Sequence, residues 1–312
     1  MLRKIKNNFI LNATFRTIML FSICYIIGML SFHYIEKASW LDSFYWIVIT
    51  LSTVGYGDLT PSHPIMKIIV FPIVLIGIVV FGSVAGIIVE EQQARLRGLK
   101  KSKQKNHIVI LGYNDASEAA IEELIDKYEI TLVDENIDIN PRIGEIHFIK
   151  GNPKKEDVLM KANIEEARGV IIALKEDSEA ILATLAARNL TSAKIIVSIS
   201  SMENIRRARA AGADVVVVVD ALAGRFLASS IFEESVVRFF EDVSTGREGY
   251  DIVEMPAREF SGMKVKDIIL KHYEHGLLIA VVRDEKIIIK PDLEMELNEN
   301  DRIICIVRTG VF

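Results

Sequence analysis

With 312 residues, 50% hydrophobic content and a mean hydropathy of +0.29, the chain is too long for one small core and too apolar for an ordinary soluble enzyme. Its net charge of -5 argues against nucleic acid as a partner. The two cysteines, Cys24 and Cys305, lie in segments that cannot meet within one chain, and neither has metal-ligand spacing.

The apolar excess sits before residue 90. Thr17 to Tyr34 and Met66 to Val89 each supply about the 18 to 25 largely apolar residues that cross a bilayer. A signal peptide is the competing reading of the first stretch, but that stretch exceeds a typical h-region and no small-residue cleavage site follows it. Lys37 is the only Lys or Arg residue between the two stretches, and Lys67 stands at the start of the second. Arg3, Lys4, Lys6 and Arg16 precede the first, and Arg95, Arg97, Lys100, Lys101, Lys103 and Lys105 follow the second. The positive-inside rule therefore predicts a multi-pass plasma-membrane protein with both termini in the cytoplasm, and the basic segment reads as juxtamembrane, near anionic lipid.

Between the stretches, Asp42 and Ser43 are placed to cap a short helix over Phe44 to Ile49, which runs into Thr50-Leu51-Ser52-Thr53-Val54-Gly55-Tyr56-Gly57-Asp58. A backbone that strips water from a K+ ion must aim successive carbonyl oxygens at one axis. Ordinary strands alternate carbonyl direction, so residues tolerating positive φ are needed, and Gly55 and Gly57 supply that tolerance. Thr53 adds a hydroxyl oxygen, while Val54 and Tyr56 point away and can pack on the short helix. Irregular backbone between two spans is tolerated only where it lines a cavity.

Thr50 to Asp58 reads T-x-S-T-V-G-Y-G-D and closely resembles the potassium-channel signature. The resemblance implies K+ as permeant ion at Thr53, Val54, Gly55, Tyr56 and Gly57, and a strut from Trp46 to Asp58 behind the filter. Ile49 stands where some members carry Glu. One loop gives one quarter of each oxygen ring, so a homotetramer in the lipid bilayer follows. No Arg-rich span is available for voltage sensing. In the second span Gly77 is the hinge candidate, with close packing as the other reading. Glu90 and Glu91 are either a solvated face or an acidic ring that concentrates K+ at the inner mouth.

Beyond the linker, short apolar strands alternate with amphipathic helices, the pattern of a parallel α/β sheet. Strands are expected at Ile108 to Leu111, Ile130 to Val133, His147 to Ile149, Val170 to Leu174, Ile195 to Ser198 and Val215 to Val219. Helices are expected at Ala116 to Lys127, Lys155 to Ala162, Ser178 to Asn189 and Met202 to Ala211. Gly112, Asn114, Asp115, Asp134 and Asn152 outline a ligand cleft in the manner of a degenerate dinucleotide fold. Only Gly112 survives of G-x-G-x-x-G, and Asp115 puts negative charge where a phosphate would sit. The alternative is structural, with Asp115 capping a helix and Asp134 ending a strand.

Asn106 to Val243 resembles the Rossmann-like N-lobe of RCK domains, which regulate K+ conductance, and Tyr250 to Phe312 resembles their small α+β C-lobe, a βαβ-type unit. The implied division is a pore domain 1–90 with two transmembrane helices, a pore helix and a filter, then a linker 91–105, an N-lobe 106–243 with crossover helices 221–243, and a C-lobe 244–312. RCK dimers within a gating ring are implied, with extra soluble copies in some relatives. No Met lies between Met66 and Met160 to start such a copy. Calcium-gated relatives use an Asp matched by Asp177 and two Glu where this chain has Ser198 and Ser200, so that divalent site is short of hard anionic oxygens. His272 and His275 form a second, weaker metal reading. Candidate regulatory ligands are NAD or NADH, ATP or ADP, a divalent cation and a cyclic dinucleotide. The leading function is a ligand-gated potassium channel subunit. A nucleotide-binding regulatory subunit of a K+ transport system and a membrane-anchored NAD-dependent oxidoreductase are the alternatives, the last lacking a His at any strand end to serve as acid or base.

Overall fold

The computed structural model describes residues 2–244, 249–272 and 276–309, and it divides between Arg95 and Leu96 into two compact units. The first unit holds α1 (Leu2–Ile35), α2 (Trp40–Leu51) and α3 (Pro64–Leu96). Pro64 opens α3 at the position where a missing N–H costs nothing, and 33 residues give that helix a length of about 50 Å.

The short helix begins earlier than expected from Asp42 and Ser43. Ser39 is its N-cap, accepting the Asp42 N–H at 3.0 Å, and Asp42 falls in the first turn, where its charge suits the dipole. The Ser43 hydroxyl instead donates to the Ser39 carbonyl at 2.8 Å. Two glycines let the flanking helices approach α2. A Cβ on Gly28 would overlap Ile47, and one on Gly77 would stand 2.8 Å from Leu51 Cδ2. Phe32, Trp46, Ile47, Leu51, Met66 and Ile73 close the core between them.

Leu20, Ile26, Ile68, Phe71 and Ile78 stand exposed on the outer faces of α1 and α3. Helices apolar on both their inner and outer faces call for lipid or further protein around them. Among the described residues no helix is long and apolar enough to cross a membrane, the side chains of Val80, Phe81 and Val84 in α3 lying outside that description. The sequence from Met66 to Val89 is itself largely apolar.

The second unit opens with β1 (Ile108–Leu111), α4 (Asp115–Leu124), β2 (Ile130–Asp134), β3 (His147–Lys150), α5 (Glu156–Lys161) and β4 (Gly169–Ile172). It continues with α6 (Asp177–Arg188), β5 (Lys194–Ile199), α7 (Ile205–Ala210), β6 (Val215–Val218), α8 (Val219–Ser230) and α9 (Glu234–Val243). The strands form one parallel sheet in the order β3-β2-β1-β4-β5-β6, so the winding reverses between β1 and β4. β1 and β2 are buried at every residue, as expected where helices cover both faces. The helix expected over Met202 to Ala211 is a 3-10 turn at Met202–Asn204 followed by α7.

A smaller sheet follows: β7 (Tyr250–Pro256), α10 (Val265–His272), β8 (Leu277–Arg283), β9 (Lys286–Ile289) and β10 (Arg302–Arg308). Its order is β7-β10-β8-β9, and β10 is antiparallel to both β7 and β8. The βαβ pattern is thus present but split, with β10 inserted between its strands. Val265 and Ile268 of α10 cover the buried face. His275 and the His272 side chain lie outside the described residues, so the metal reading placed on them has no geometry to consider.

Residues 97–106 are docked onto the second unit rather than free. Lys150 N–H donates to the Gly98 carbonyl at 3.0 Å, Ser102 N–H to Lys161 at 2.8 Å and Asn106 N–H to Glu166 at 2.8 Å. Gly98 has φ +65, and a Cβ there would press on the backbone of Lys150. Buried Thr131 meets the Ser102 hydroxyl at 3.1 Å and donates to Gln104 Oε1 at 2.5 Å.

His107, where this segment enters β1, is fully buried. Its Nε2 meets the Ala162 carbonyl at 3.0 Å and its Nδ1 has no hydrogen-bond partner. Burial lowers its pKa, outweighing the bond to Ala162. An imidazole kept neutral in the fold contributes stability that is complete above the unfolded value of about 6.5 and is lost as pH falls below it, by at most about 1.4 kcal/mol per pH unit. Hydrogen exchange at residues 107–111 should accelerate between pH 7.5 and 5.5 beyond the intrinsic rate change. His107→Gln should remove that acceleration.

Candidate functional site

The loop leaving α2 is tied to that helix by its amides. Val54 and Gly55 N–H both donate to the Ile49 carbonyl, at 3.0 and 3.2 Å, and Thr53 N–H to Thr50 at 3.1 Å. Positive φ occurs at alternate residues, +60 at Thr53, +52 at Gly55 and +77 at Gly57. Sequence reasoning assigned this freedom to the two glycines and missed Thr53. A β-branched residue held there stores strain of about 1–3 kcal/mol, of the kind that accumulates at functional sites. Alternating the sign of φ turns successive peptide planes the same way, which is the geometry a row of inward carbonyls requires.

Two expected contacts come out differently. Val54 and Tyr56 are 52% and 72% exposed, so most of each side chain is left uncovered within this chain. Trp46 does not reach Asp58. It is 2% exposed and stacks on Phe32 of α1, with ring centroids 4.2 Å apart. The hydroxyl of Tyr45, one residue earlier, lies beside the Asp58 carboxylate instead. Neighbouring helix positions differ by about 100°, so only one of the two rings can face the loop while the other faces α1. Tyr45→Phe should therefore loosen the outer end of the loop. The expected reading is a faster decline of current during sustained flow, with Trp46→Phe affecting folding yield instead.

At the far end of α3, Glu90 is exposed and Glu91 lies 3.5 Å from Arg95 one turn on. Gly77, the expected hinge, is buried against Leu51.

In the second unit the reversal between β1 and β4 opens a cleft of about 260 Å³ bounded by Asn114 to Ala116, Leu174, Lys175, Ser198 to Ser200, Val219 and Asp220. Ligands of doubly wound sheets bind at such reversals. Lys175, Val219 and Asp220 were not singled out from the sequence, although strand order alone points to the ends of β4 to β6.

Gly112 has φ +95, and a Cβ there would overlap the Ala173 carbonyl of the strand beside it. Asn114, not Asp115, caps α4: its Oδ1 accepts the Ser117 N–H at 3.0 Å, the Ser117 hydroxyl closes the box, and its Nδ2 donates to Ala173 at 2.9 Å. Asp115 is left exposed at the cleft. Asp134 turns inward, 4% exposed, and accepts N–H groups from Tyr113 at 3.0 Å, Asn136 at 2.6 Å and Ile137 at 3.0 Å. Asn152 closes the next turn by accepting the Lys154 N–H at 2.9 Å.

Asp177 is similarly engaged. Its carboxylate accepts N–H groups of Ser200 at 2.7 Å and Ser201 at 3.0 Å, and the Asn204 amide at 2.7 Å. Burial works to raise its pKa, but the bonds from Ser200, Asn204 and Ser201 prevail and hold it below the ordinary value. Among the described residues no group of three or more acidic, His or Cys side chains could hold a metal. A second cavity, about 800 Å³, lies in the small lobe beside Phe260, Ile268 and Cys305. Burial pushes the Cys305 thiol up to about 11, so it is inert at neutral pH.

Residues 17–93 match the family described as an ion channel, and residues 108–219 match the TrkA-N domain. The calcium-gated potassium channel TvoK of Thermoplasma volcanium is 27% identical over 292 residues, covering 88% of this chain and 84% of that protein. Probable potassium channel protein 2 of Methanocaldococcus jannaschii is 28% identical over 294 residues, covering 86% and 85%. The solved GsuK Channel structure shares the fold with TM-score 0.50 and 20% identity, over 97% of this chain and 57% of that one. The chain thus spans a little over half the length of that channel subunit.

Proposed function

We propose that this chain is one of the potassium channels that join an ion-channel pore to a TrkA-N domain, as its matches over 17–93 and 108–219 support, and that four copies enclose a K+ pathway lined by the carbonyls of Thr53 to Gly57 and the Thr53 hydroxyl. It is a membrane protein of a channel family, not an enzyme. The observation that carries the reading is the alternation of positive φ at Thr53, Gly55 and Gly57, with the amides of Val54 and Gly55 drawn back to Ile49. In the tetramer a neighbouring copy covers Val54 and Tyr56. Residues 1–90 form the pore with both termini in the cytoplasm, the C-terminal end of α2 directs its negative dipole at the ion path, and Glu90 and Glu91 ring the inner mouth.

The second unit is the regulatory part, an RCK N-lobe and C-lobe that open or close the pore. Its α8, α9 and the turn between them expose Leu227, Ile231, Phe232, Val236, Phe239 and Phe240. An apolar face of this kind is buried by a second copy, which makes RCK dimers the building block of a gating ring. The ligand binds at the reversal between β1 and β4 and acts through different affinity for two ring shapes. Calcium gating, carried in the name of the Thermoplasma relative, has less support here, because Asp177 is held by three N–H donors and Ser198 and Ser200 are neutral. A tightly bound dinucleotide is also disfavoured, by Asp115 at the α4 terminus and by the inward turn of Asp134.

Reconstituted protein should pass K+ far faster than Na+, and its open probability should respond to one compound among Ca2+, NAD+, NADH, ATP, ADP and cyclic dinucleotides. Equal K+ and Na+ flux overturns the pore assignment. Unchanged opening across that series overturns ligand gating while leaving the pore intact.

A further inference from the structure

The docked segment after α3 alternates. Ser102 is buried and Gln104 half-buried, both fixed on Thr131, while Lys101, Lys103 and Lys105 are exposed. In an extended chain, residues two apart lie about 6.5–7 Å from one another on the same side. The three lysines therefore leave the same side of a segment whose backbone is fixed to the fold. Lys105 lies 3.7 Å from Glu166 with both side chains mostly exposed, a weak pair. Among the described residues Lys101 and Lys103 have no ion-pair partner. This positive row belongs to a chain of net charge -5 and starts within ten residues of the end of α3.

We infer that Lys101, Lys103 and Lys105 bind the phosphate groups of anionic phospholipids of the leaflet next to the regulatory unit, and that the docking of Ser102 and Gln104 on Thr131 positions them to do so. Lysine suits this task, because a compact ammonium on a long stem meets single phosphates as a point charge without needing paired geometry. Each lysine near an anionic membrane surface is worth about a fivefold gain in affinity. The inference takes from the proposed function only that the chain sits in a bilayer.

The full-length protein is placed in phosphatidylcholine nanodiscs containing increasing phosphatidylglycerol, and retained lipids are counted by native mass spectrometry, a readout independent of conduction. The wild type should retain phosphatidylglycerol selectively. K101Q/K103Q/K105Q should need on the order of ten to a hundred times more for the same retention. K127Q/K155Q/K194Q, which removes equal charge from exposed positions of the same unit, should behave as the wild type, and millimolar inorganic phosphate should not displace the lipid. Equal retention by the first variant, equal loss in the second, displacement by free phosphate, or no selectivity in the wild type would each overturn the assignment. Because lipids are counted whether or not ions flow, failure of the pore reading and failure of this one are separately visible.

Discussion

Gly55→Ala is expected to silence K+ flux while leaving the regulatory unit folded. At φ +52 an L-residue carries about 1–2 kcal/mol of backbone strain, and Gly55 has open space beside it, so the penalty is conformational and not a clash. Four copies in one ring raise it to about 4–8 kcal/mol per pore. Thr53 already holds positive φ in the same loop, so little tolerance remains. The alternating arrangement should give way to one in which a carbonyl turns from the axis, with K+ flux falling by several orders of magnitude. The test is 86Rb+ uptake into liposomes beside Gly144→Ala, an exposed glycine of the second unit with open space and φ +88, which carries the same kind of backbone strain away from the loop and should conduct normally. Wild-type flux in Gly55→Ala would mean that these carbonyls do not dehydrate the ion.

Arg283→Ala should unfold the small four-stranded lobe. Asp301 is 3% exposed and accepts from Arg283 Nε at 2.9 Å and Nη2 at 2.5 Å, with the Asn298 N–H at 2.8 Å. Removing the guanidinium leaves a buried carboxylate without its counter-charge and with the Asn298 N–H as its remaining donor, at a cost of about 3–5 kcal/mol, comparable to what so small a lobe can lose. The pH dependence should also change sign. In the wild type Arg283, ahead of the opposing effect of burial, holds Asp301 below its ordinary value. Its contribution is therefore present above the unfolded pKa near 4 and lost as pH falls through the lower folded value. In the variant, burial outweighs the remaining bond from the Asn298 N–H and raises the Asp301 pKa, so the lobe should gain stability as pH falls through that raised value. Hydrogen exchange across β8 and β10 would show both effects, and Arg283→Ala/Asp301→Asn should recover much of the loss.

Most strand positions were legible because each is a short apolar run bounded by turn residues, as with Ile108 to Leu111 before Gly112. The filter loop was legible for a different reason, since few sequences place two glycines at alternate positions between apolar stretches. Side-chain pairings were less visible. Whether Tyr45 or Trp46 meets Asp58 depends on which ring Phe32 claims, and Phe32 lies on another helix. Docking of 97–106 was hidden because backbone amides and carbonyls make most of it, and a run of lysines reads as solvated whether or not the chain beneath it is fixed. The inward turn of Asp134 was equally hidden, because three N–H donors from its own surroundings leave no trace in residue identity.

The position of β10 constrains how the small lobe can be made. It is the last strand of that lobe to leave the ribosome, yet it lies in the interior of the sheet, hydrogen-bonded to β7 on one side and β8 on the other. Until it emerges, β7 and β8 have unsatisfied facing edges, open to pairing with other nascent chains. Assembly of this lobe therefore waits on β10, and a nonsense mutation before Arg302 would leave an aggregation-prone remnant in place of a shortened domain.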